Sequence, residues 1–316
     1  MVLLIRLCER HMKTKQITIG IILALVTACI SGASNFIGKI SVTAVKDPIL
    51  FTTLKNALVA IFLLLALTAL GKWKSLRTLS KGDWAKLMLI GVVGGSIPFA
   101  LFFTGLSLTS AVAASFIHKT LFVWVLFLAI PFLKERLRPL QWSAMLLLLF
   151  GTFALGGFQQ LKFGAGEAMI LAATLLWAIE NIIAKKALRN IATSVVVTAR
   201  MALGSVLLFA YVFVTGKAQT IPTLSVTQWL WTAIPALLLF GYVVTWYAAL
   251  KRLPASVTAS LLVPATIITA LLSAGFGKSA FVPSQALALA VFAFGCACTV
   301  IPLVRKFSAR YARSDA

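Results

Sequence analysis

Acidic residues are nearly absent. Asp and Glu together number 7 in 316 residues, against 29 Lys and Arg. A soluble enzyme surface carries both signs in quantity, so this count excludes an ordinary soluble domain. Histidine is equally scarce: His11 and His118 alone cannot assemble a His/Glu metal centre. The four cysteines, Cys8, Cys29, Cys296 and Cys298, lack metal-type spacing and read as small core-filling side chains. No phosphate-cradling Gly-rich loop of the P-loop kind occurs, which argues against ATP hydrolysis. Carboxylate-rich motifs for magnesium-bound prenyl substrates are missing too. The chain therefore reads as a non-enzyme without cofactor or metal. No polar stretch is long enough to fold as a separate soluble domain.

What is present is apolar sequence. Hydrophobic residues make up 61% of the chain and charged residues 11%. A helix needs about 20 apolar residues to cross the hydrocarbon core of a bilayer. Ten such runs stand out, at 17–38, 48–70, 84–107, 110–133, 140–158, 165–188, 193–215, 228–250, 254–276 and 284–304. The fold class expected is an all-α membrane protein of ten transmembrane helices.

Lysine and arginine orient the series. With the N-terminus inside, the inner segments carry 20 of them. The outer segments carry only Lys39, Lys46, Lys162, Lys217 and Lys278. Both termini are expected on the cytoplasmic side of a prokaryotic cell membrane. The net charge of +22 is thus a topology signal. It is dispersed over short loops, not gathered on one face, so lipid and not nucleic acid is the expected neighbour. The first run resembles a signal peptide, but its later counterpart argues that it is retained. Met12-Lys13-Thr14-Lys15 would serve as a start in its own right.

That counterpart appears when the chain is shifted by about 145 residues. Asn35 and Lys39 meet Asn181 and Lys185; Lys55 meets Arg200. Ser115 and Lys119 meet Ser260 and Pro264; Pro139 and Gln141 meet Pro283 and Gln285. The chain therefore divides into a basic N-terminal segment (1–16), a five-helix repeat (17–158), a second repeat (165–304) and a basic tail (305–316). Five spans is an odd number, so the second copy enters the membrane from the opposite side. Inverted repeats are an architecture of secondary transporters, because one interface can open to either face at similar energy.

Two segments carry a family resemblance. Phe132-Leu133-Lys134-Glu135-Arg136-Leu137-Arg138-Pro139-Leu140-Gln141 resembles the junction of spans four and five in EamA-type members of the drug/metabolite transporter superfamily. Trp246-Tyr247-Ala248-Ala249-Leu250-Lys251-Arg252-Leu253-Pro254-Ala255 resembles that family's junction of spans eight and nine, with Leu106 to Ala111 a looser first-half version. The resemblance implies a carrier or exporter of small organic metabolites. Its cavity would be lined by spans one to four and six to nine, with spans five and ten standing apart. Glu135 has no twin: Gly277-Lys278-Ser279-Ala280 occupies the corresponding place.

Ionisable groups inside hydrocarbon are costly and mark functional candidates. Lys55 and Arg200 are repeat mates, each roughly 6 Å from its span centre at 1.5 Å per residue. Inversion sets one toward the outside and the other toward the inside. They either face a wet cavity or snorkel to the headgroups. Lys119 lies near the middle of span four, too deep to snorkel cheaply. The neighbouring His118 points about 100° away on a helix, so the two are not expected to face the same way. Glu180, near the centre of span six, either binds an amine, carries a proton or is paired with a base. Asn35 and Asn181 fit ligand contact and interhelical hydrogen bonding equally. Trp177, Tyr242 and Tyr247 form an aromatic wall or pack in the core. Gly91 and Gly95 form a small-xxx-small pair for close helix packing. Pro98, Pro235 and Pro264 can kink spans three, eight and nine, and a kink at Pro264 leaves room for a cavity there.

More cations than acids in the hydrocarbon favour a substrate with a carboxylate or phosphate. The expected function is a secondary exporter or exchanger of a small polar metabolite, amino-acid-like compounds first, working as a monomer or homodimer with proton coupling as an option. A channel or uniporter-like facilitator is the rival from another class, and a membrane-embedded lipid or prenyl enzyme a more distant one.

Overall fold

The computed structural model describes residues 2–154, 163–277, 287 and 290–301, with side chains described for 14–151 and from 163 onward within these ranges. Lys162, Lys278, Pro283, Gln285 and the tail 305–316 lie outside the described residues, as do the side chains of Cys8, His11 and Lys13. Described residues are mostly helical, joined by turns and short irregular segments, with no strand among them.

Eight helices are long and apolar enough to cross a membrane: Thr14–Val45, Pro48–Ala69, Lys81–Leu108, Ala111–Leu133, Ala165–Ala187, Thr193–Val214, Val226–Arg252 and Ala255–Gly275. They are spans one to four and six to nine. Two shorter apolar helices, Pro139–Gly151 and Ala290–Ile301, fall within the fifth and tenth runs. Gln141 ties these two together, donating to the Thr299 carbonyl at 3.3 Å. Span one is longer than expected. Its helix begins at Val2 and continues to Val45, since nothing between 17 and 45 breaks it.

Local sequence sets the helix starts. Asp47 caps span two, accepting from the N–H groups of Ile49 and Leu50 at 2.9 Å, ahead of Pro48 at the first helical position. Ser80 and Asp83 form a reciprocal capping box at span three, as do Ser225 and Gln228 at span eight. Exposed apolar side chains such as Leu65, Phe150, Val206 and Leu237 are ordinary for a surface bathed in lipid.

The two halves are held together by close crossings that glycine permits. Gly95 in span three and Gly204 in span seven touch backbone to backbone. A Cβ on Gly95 would sit 2.0 Å from the Arg200 carbonyl oxygen, and one on Gly204 2.4 Å from the Gly95 carbonyl carbon. The expected role of Gly91 and Gly95 in packing is therefore met. Gly105 and Gly166 make the same kind of contact between spans three and six. Spans one and eight pack along each other, with Thr27 donating to Thr245 at 2.7 Å.

Three spans are not regular. Span three contains a π-helical turn over Gly91–Ser96, which periodicity did not reveal. Span four breaks at Thr120 into Ala111–Lys119 and Leu121–Leu133. The Thr120 N–H turns back to Ile117 at 3.1 Å, a tighter winding than the α-helix. Span nine breaks between Ala255–Ser260 and Ala265–Gly275, where Pro264 cannot donate. Pro235, in contrast, sits inside an unbroken helix.

A bonding pattern recurs at the two ends of the bundle. Lys39 in span one donates to the carbonyls of Leu106 and Ser107 at 2.8 and 3.0 Å, ending span three. Its repeat mate Lys185 in span six donates to those of Leu250 and Leu253 at 2.5 and 2.6 Å, ending span eight. Carbonyls in the last turn of a helix lack intrahelical partners, and an ammonium supplies them.

Candidate functional site: a charged cavity in the bundle

Near the middle of the bundle a cavity of about 70 Å³ is lined by residues of spans one, two, three, four, six, seven and eight. Seven of the nine candidate residues reach it: Asn35, Lys55, His118, Trp177, Glu180, Asn181 and Arg200. The other two stand one bond behind. Lys119 donates to Ser31, a lining residue, at 2.7 Å, and Tyr247 donates its phenolic hydrogen to Glu180 Oε1.

Lys55 and Arg200 are only 1% and 4% exposed. The Lys55 ammonium lies 4.2 and 4.5 Å from the centres of the Phe103 and Phe99 rings. The Arg200 guanidinium lies 5.2 Å from the same Phe99 ring and 5.6 Å from Tyr247. Aromatic faces attract cations, more strongly where water is excluded. Lys55 and Arg200 come from spans two and seven, one in each half, and both long side chains reach the Phe99 ring between them. Arg200 Nε and Nη1 are buried with no hydrogen-bond partner. Glu180 lies beside Arg200 across Gly94, yet buried donors without partners are costly, and these two remain available.

Glu180 owes its position to a missing side chain. A Cβ on Gly94 would lie 2.4 Å from Glu180 Cγ and 3.0 Å from Arg200 Nε. The π-turn also frees backbone groups in this wall. Pro98 has no N–H to give the Gly94 carbonyl, and Trp177 Nε1 donates to it instead at 3.1 Å. The adjacent Gly95 carbonyl accepts from Asn56 at 3.2 Å. Trp177 thus stands in the cavity wall, not in lipid. Its ring also packs on Phe99, Phe102 and His118 at 5.0 to 5.4 Å.

His118 and Lys119 meet after all: Lys119 Nζ lies 3.3 Å from His118 Nδ1. Lys119 supports the wall through Ser31 and does not itself line the cavity. The asparagines divide. Asn181 donates to the Trp177 carbonyl at 2.8 Å and accepts from Trp246 Nε1 at 3.0 Å. Asn35 Nδ2 is buried without a partner, as is the Ser34 hydroxyl beside it.

Span nine departs from expectation, contributing no lining residue. It packs on span one at Gly32, where a Cβ would meet Ile268 at 2.5 Å. Thr269 donates to the Gly32 carbonyl at 2.9 Å. Phe99, Phe102, Phe103, Ser31, Ser34, Leu121 and Leu239 were not singled out from sequence. An apolar residue lining a cavity looks like any other residue of a hydrophobic span. A second, larger groove of about 640 Å³ near Ile97, Leu101 and Leu207 has no charged lining.

A multi-pass helical bundle enclosing charged, partly unsatisfied side chains defines the class of a polytopic membrane transporter. Comparison with known proteins agrees and specifies it. The EamA-like transporter family model matches the chain twice, over residues 18–157 and 164–301. An uncharacterized transporter of Synechocystis sp. is 27% identical over 188 residues, 56% of this chain. The match spans about half, 54%, of that relative's own length. A solved crystal structure of a protein matches with a TM-score of 0.70 at 19% identity, covering 92% of this chain and 98% of that one, which shows a shared fold. The chain belongs to the EamA-like transporter family.

Proposed function

We propose that this chain is a secondary transporter that moves a small polar metabolite bearing a carboxylate or phosphate, an amino-acid-like compound being the first choice. The observation that carries this reading is the Arg200 guanidinium: buried, facing a cavity, and with two nitrogens unpartnered. A carboxylate or phosphate takes such donors in pairs. Lys55 shares its aromatic shelf and adds a second positive charge. Asn35 and Ser34 offer neutral polar contacts from span one. Glu180, held by Tyr247, would receive an amine or carry a coupling proton, with His118 the other candidate.

At about 70 Å³ the cavity is well below the ~300–1,000 Å³ of ordinary ligand pockets. A metabolite needs more, so binding requires the walls to part. This suits a carrier cycling between two open forms through a closed one, the expected behaviour of inverted five-helix repeats. The breaks at Thr120 and Pro264, one in each half, support that view, since interrupted helices recur where transporters change shape. The orientation is the one the basic residues favour, with both termini in the cytoplasm of a prokaryotic cell. The driving energy comes from a solute or proton gradient.

The test begins with a thermal-shift screen of purified protein against carboxylated and phosphorylated metabolites. Hits go to counterflow assays in proteoliposomes. Saturable counterflow that Arg200→Gln abolishes is the expected result. Flux that never saturates and shows no counterflow would mean a channel.

A further inference from the structure

The Leu121–Leu133 half of span four runs from the cavity to the basic end of the bundle. At one end Leu121 lines the cavity, just past the break at Thr120. At the other, Lys134 turns left-handed at φ 56°, and the N–H groups of Lys134 and Glu135 both return to the Ala129 carbonyl. This helix-ending turn directs the Glu135 carboxylate into the other half of the molecule. Oε1 accepts from the Ala255 N–H at 2.6 Å. Oε2 accepts from the Ser256 N–H at 3.2 Å and the Ser256 hydroxyl at 2.5 Å.

Ala255 and Ser256 are the first residues of span nine, whose opening N–H groups have no helical acceptor. A carboxylate is the strongest side-chain acceptor they could meet. The preceding turn is fixed from below by Lys185 on the Leu250 and Leu253 carbonyls. At the opposite end of the bundle, the side-chain pair Asp47–Lys217 also joins the halves, but both side chains are about a third exposed. Solvent weakens such a pair; two of the three Glu135 contacts are instead to backbone N–H groups.

We propose that Leu121–Leu133 is a gate, hinged at Thr120 and latched by Glu135 to the start of span nine, and that releasing the latch opens the cavity toward the basic end. The inference rests on the alternating-access reading of the cavity. The signature segment around Glu135 then has a mechanical role. Its single carboxylate spans the two halves, so a local bond reports whether one side of the pathway is shut.

Ser34 lines the cavity and its hydroxyl is unpartnered, so Ser34→Cys gives a reporter. The full chain with that change, its native cysteines replaced by alanine, is placed in vesicles of defined orientation. A membrane-impermeant methanethiosulfonate is then applied to each face. Glu135→Ala should speed labelling from the basic face by about tenfold or more, the population shift expected on losing a charged hydrogen-bond set. Labelling from the other face should slow. Unchanged rates from both faces overturn the latch. Ser256→Ala removes one of the three bonds and should move labelling in the same direction by a smaller factor. Should Glu135→Ala fail to insert, Ser256→Ala decides, and no shift there overturns the proposal. Counterflow is measured separately on the unmutated native chain. Shifted labelling in the Glu135→Ala reporter, together with a native protein that never transports, upholds the latch and sinks the transporter reading. Normal counterflow with unmoved labelling sinks the latch alone.

Discussion

The Lys55 ammonium and the Arg200 guanidinium rest on one phenylalanine ring, Phe99, at 4.5 and 5.2 Å from its centre. Two like charges are thus buried close together, with Glu180 as the one carboxylate in the wall. Such an arrangement costs stability when no anion is bound. Lys55→Met should therefore leave the melting temperature of the ligand-free protein unchanged or raise it. The same change should weaken binding of the proposed anionic substrate by tenfold or more, on the basis of about 1.5–3 kcal/mol for a hydrogen bond to a charged group. Thermal melts and titration on the same preparation check both halves. A lowered melting temperature with unaltered affinity would make Lys55 a structural residue.

Gly95 offers a sharper stability test. Its missing Cβ would lie 2.0 Å from the Arg200 carbonyl oxygen. That neighbour is backbone and cannot rotate away. Gly95→Ala should cost at least the ~1–3 kcal/mol of ordinary overpacking, read as a large loss of melting temperature or of folded yield. Gly82→Ala is the control, because the nearest atom to its Cβ is Ser80 Oγ at 3.8 Å, and it should be nearly silent. Equal behaviour of the two would mean that spans three and seven are not packed as described.

Much of this molecule was legible in advance, and the reasons differ by residue. Span positions follow from hydropathy, which a bilayer enforces more strictly than water does. Lys55, Glu180 and Arg200 were legible because a charge in an apolar run has few bland explanations. Lys39 and Lys185 were matched as repeat mates, but their shared task of ending spans three and eight depends on tertiary approach. Phe99 was invisible for a simpler reason: phenylalanine is expected throughout a membrane helix. The π-turn at Gly91–Ser96 carries no periodic signature, and its glycines were read only for packing. Lys119 was placed in the cavity from its depth, yet depth does not determine where a flexible stem leads.

Asp47 supplies a pH dependence that can be worked out in sign. It lies between spans one and two, outside the spanning segments. Burial acts to raise its pKa. The hydrogen bond and charge of Lys217, with the N–H groups of Leu50 and Ile49, outweigh this and hold it below the ordinary aspartate value. A carboxyl with a depressed folded pKa adds stability above its unfolded pKa and loses it as pH falls through the folded one. Wild-type protein should thus out-melt Asp47→Asn at neutral pH, and the gap should close as pH drops below the usual aspartate range. Because the pair is partly exposed, raising the salt concentration at neutral pH should narrow the gap as well. A gap that is constant from neutral to strongly acidic pH would assign the effect to capping geometry alone.

The bond from Trp177 to the Gly94 carbonyl tests how the π-turn was made affordable. Pro98 has no N–H, so the carbonyl four residues earlier has lost its helical donor, and Trp177 Nε1 replaces it at 3.1 Å. Trp177→Phe keeps an aromatic ring but leaves that buried acceptor unsatisfied, at a cost of about 1–3 kcal/mol beyond the lost packing. Pro98→Ala returns an N–H to the position from which an α-helix would satisfy Gly94. The two changes should then be strongly non-additive: in the Pro98→Ala background, Trp177→Phe should cost less, by about 1 kcal/mol or more, a coupling typical of residues sharing one acceptor. Reversible unfolding in mixed micelles, run on the four members of the cycle, measures it directly. Additive costs would mean that the carbonyl is satisfied by other means and that Trp177 serves the cavity only as an aromatic surface.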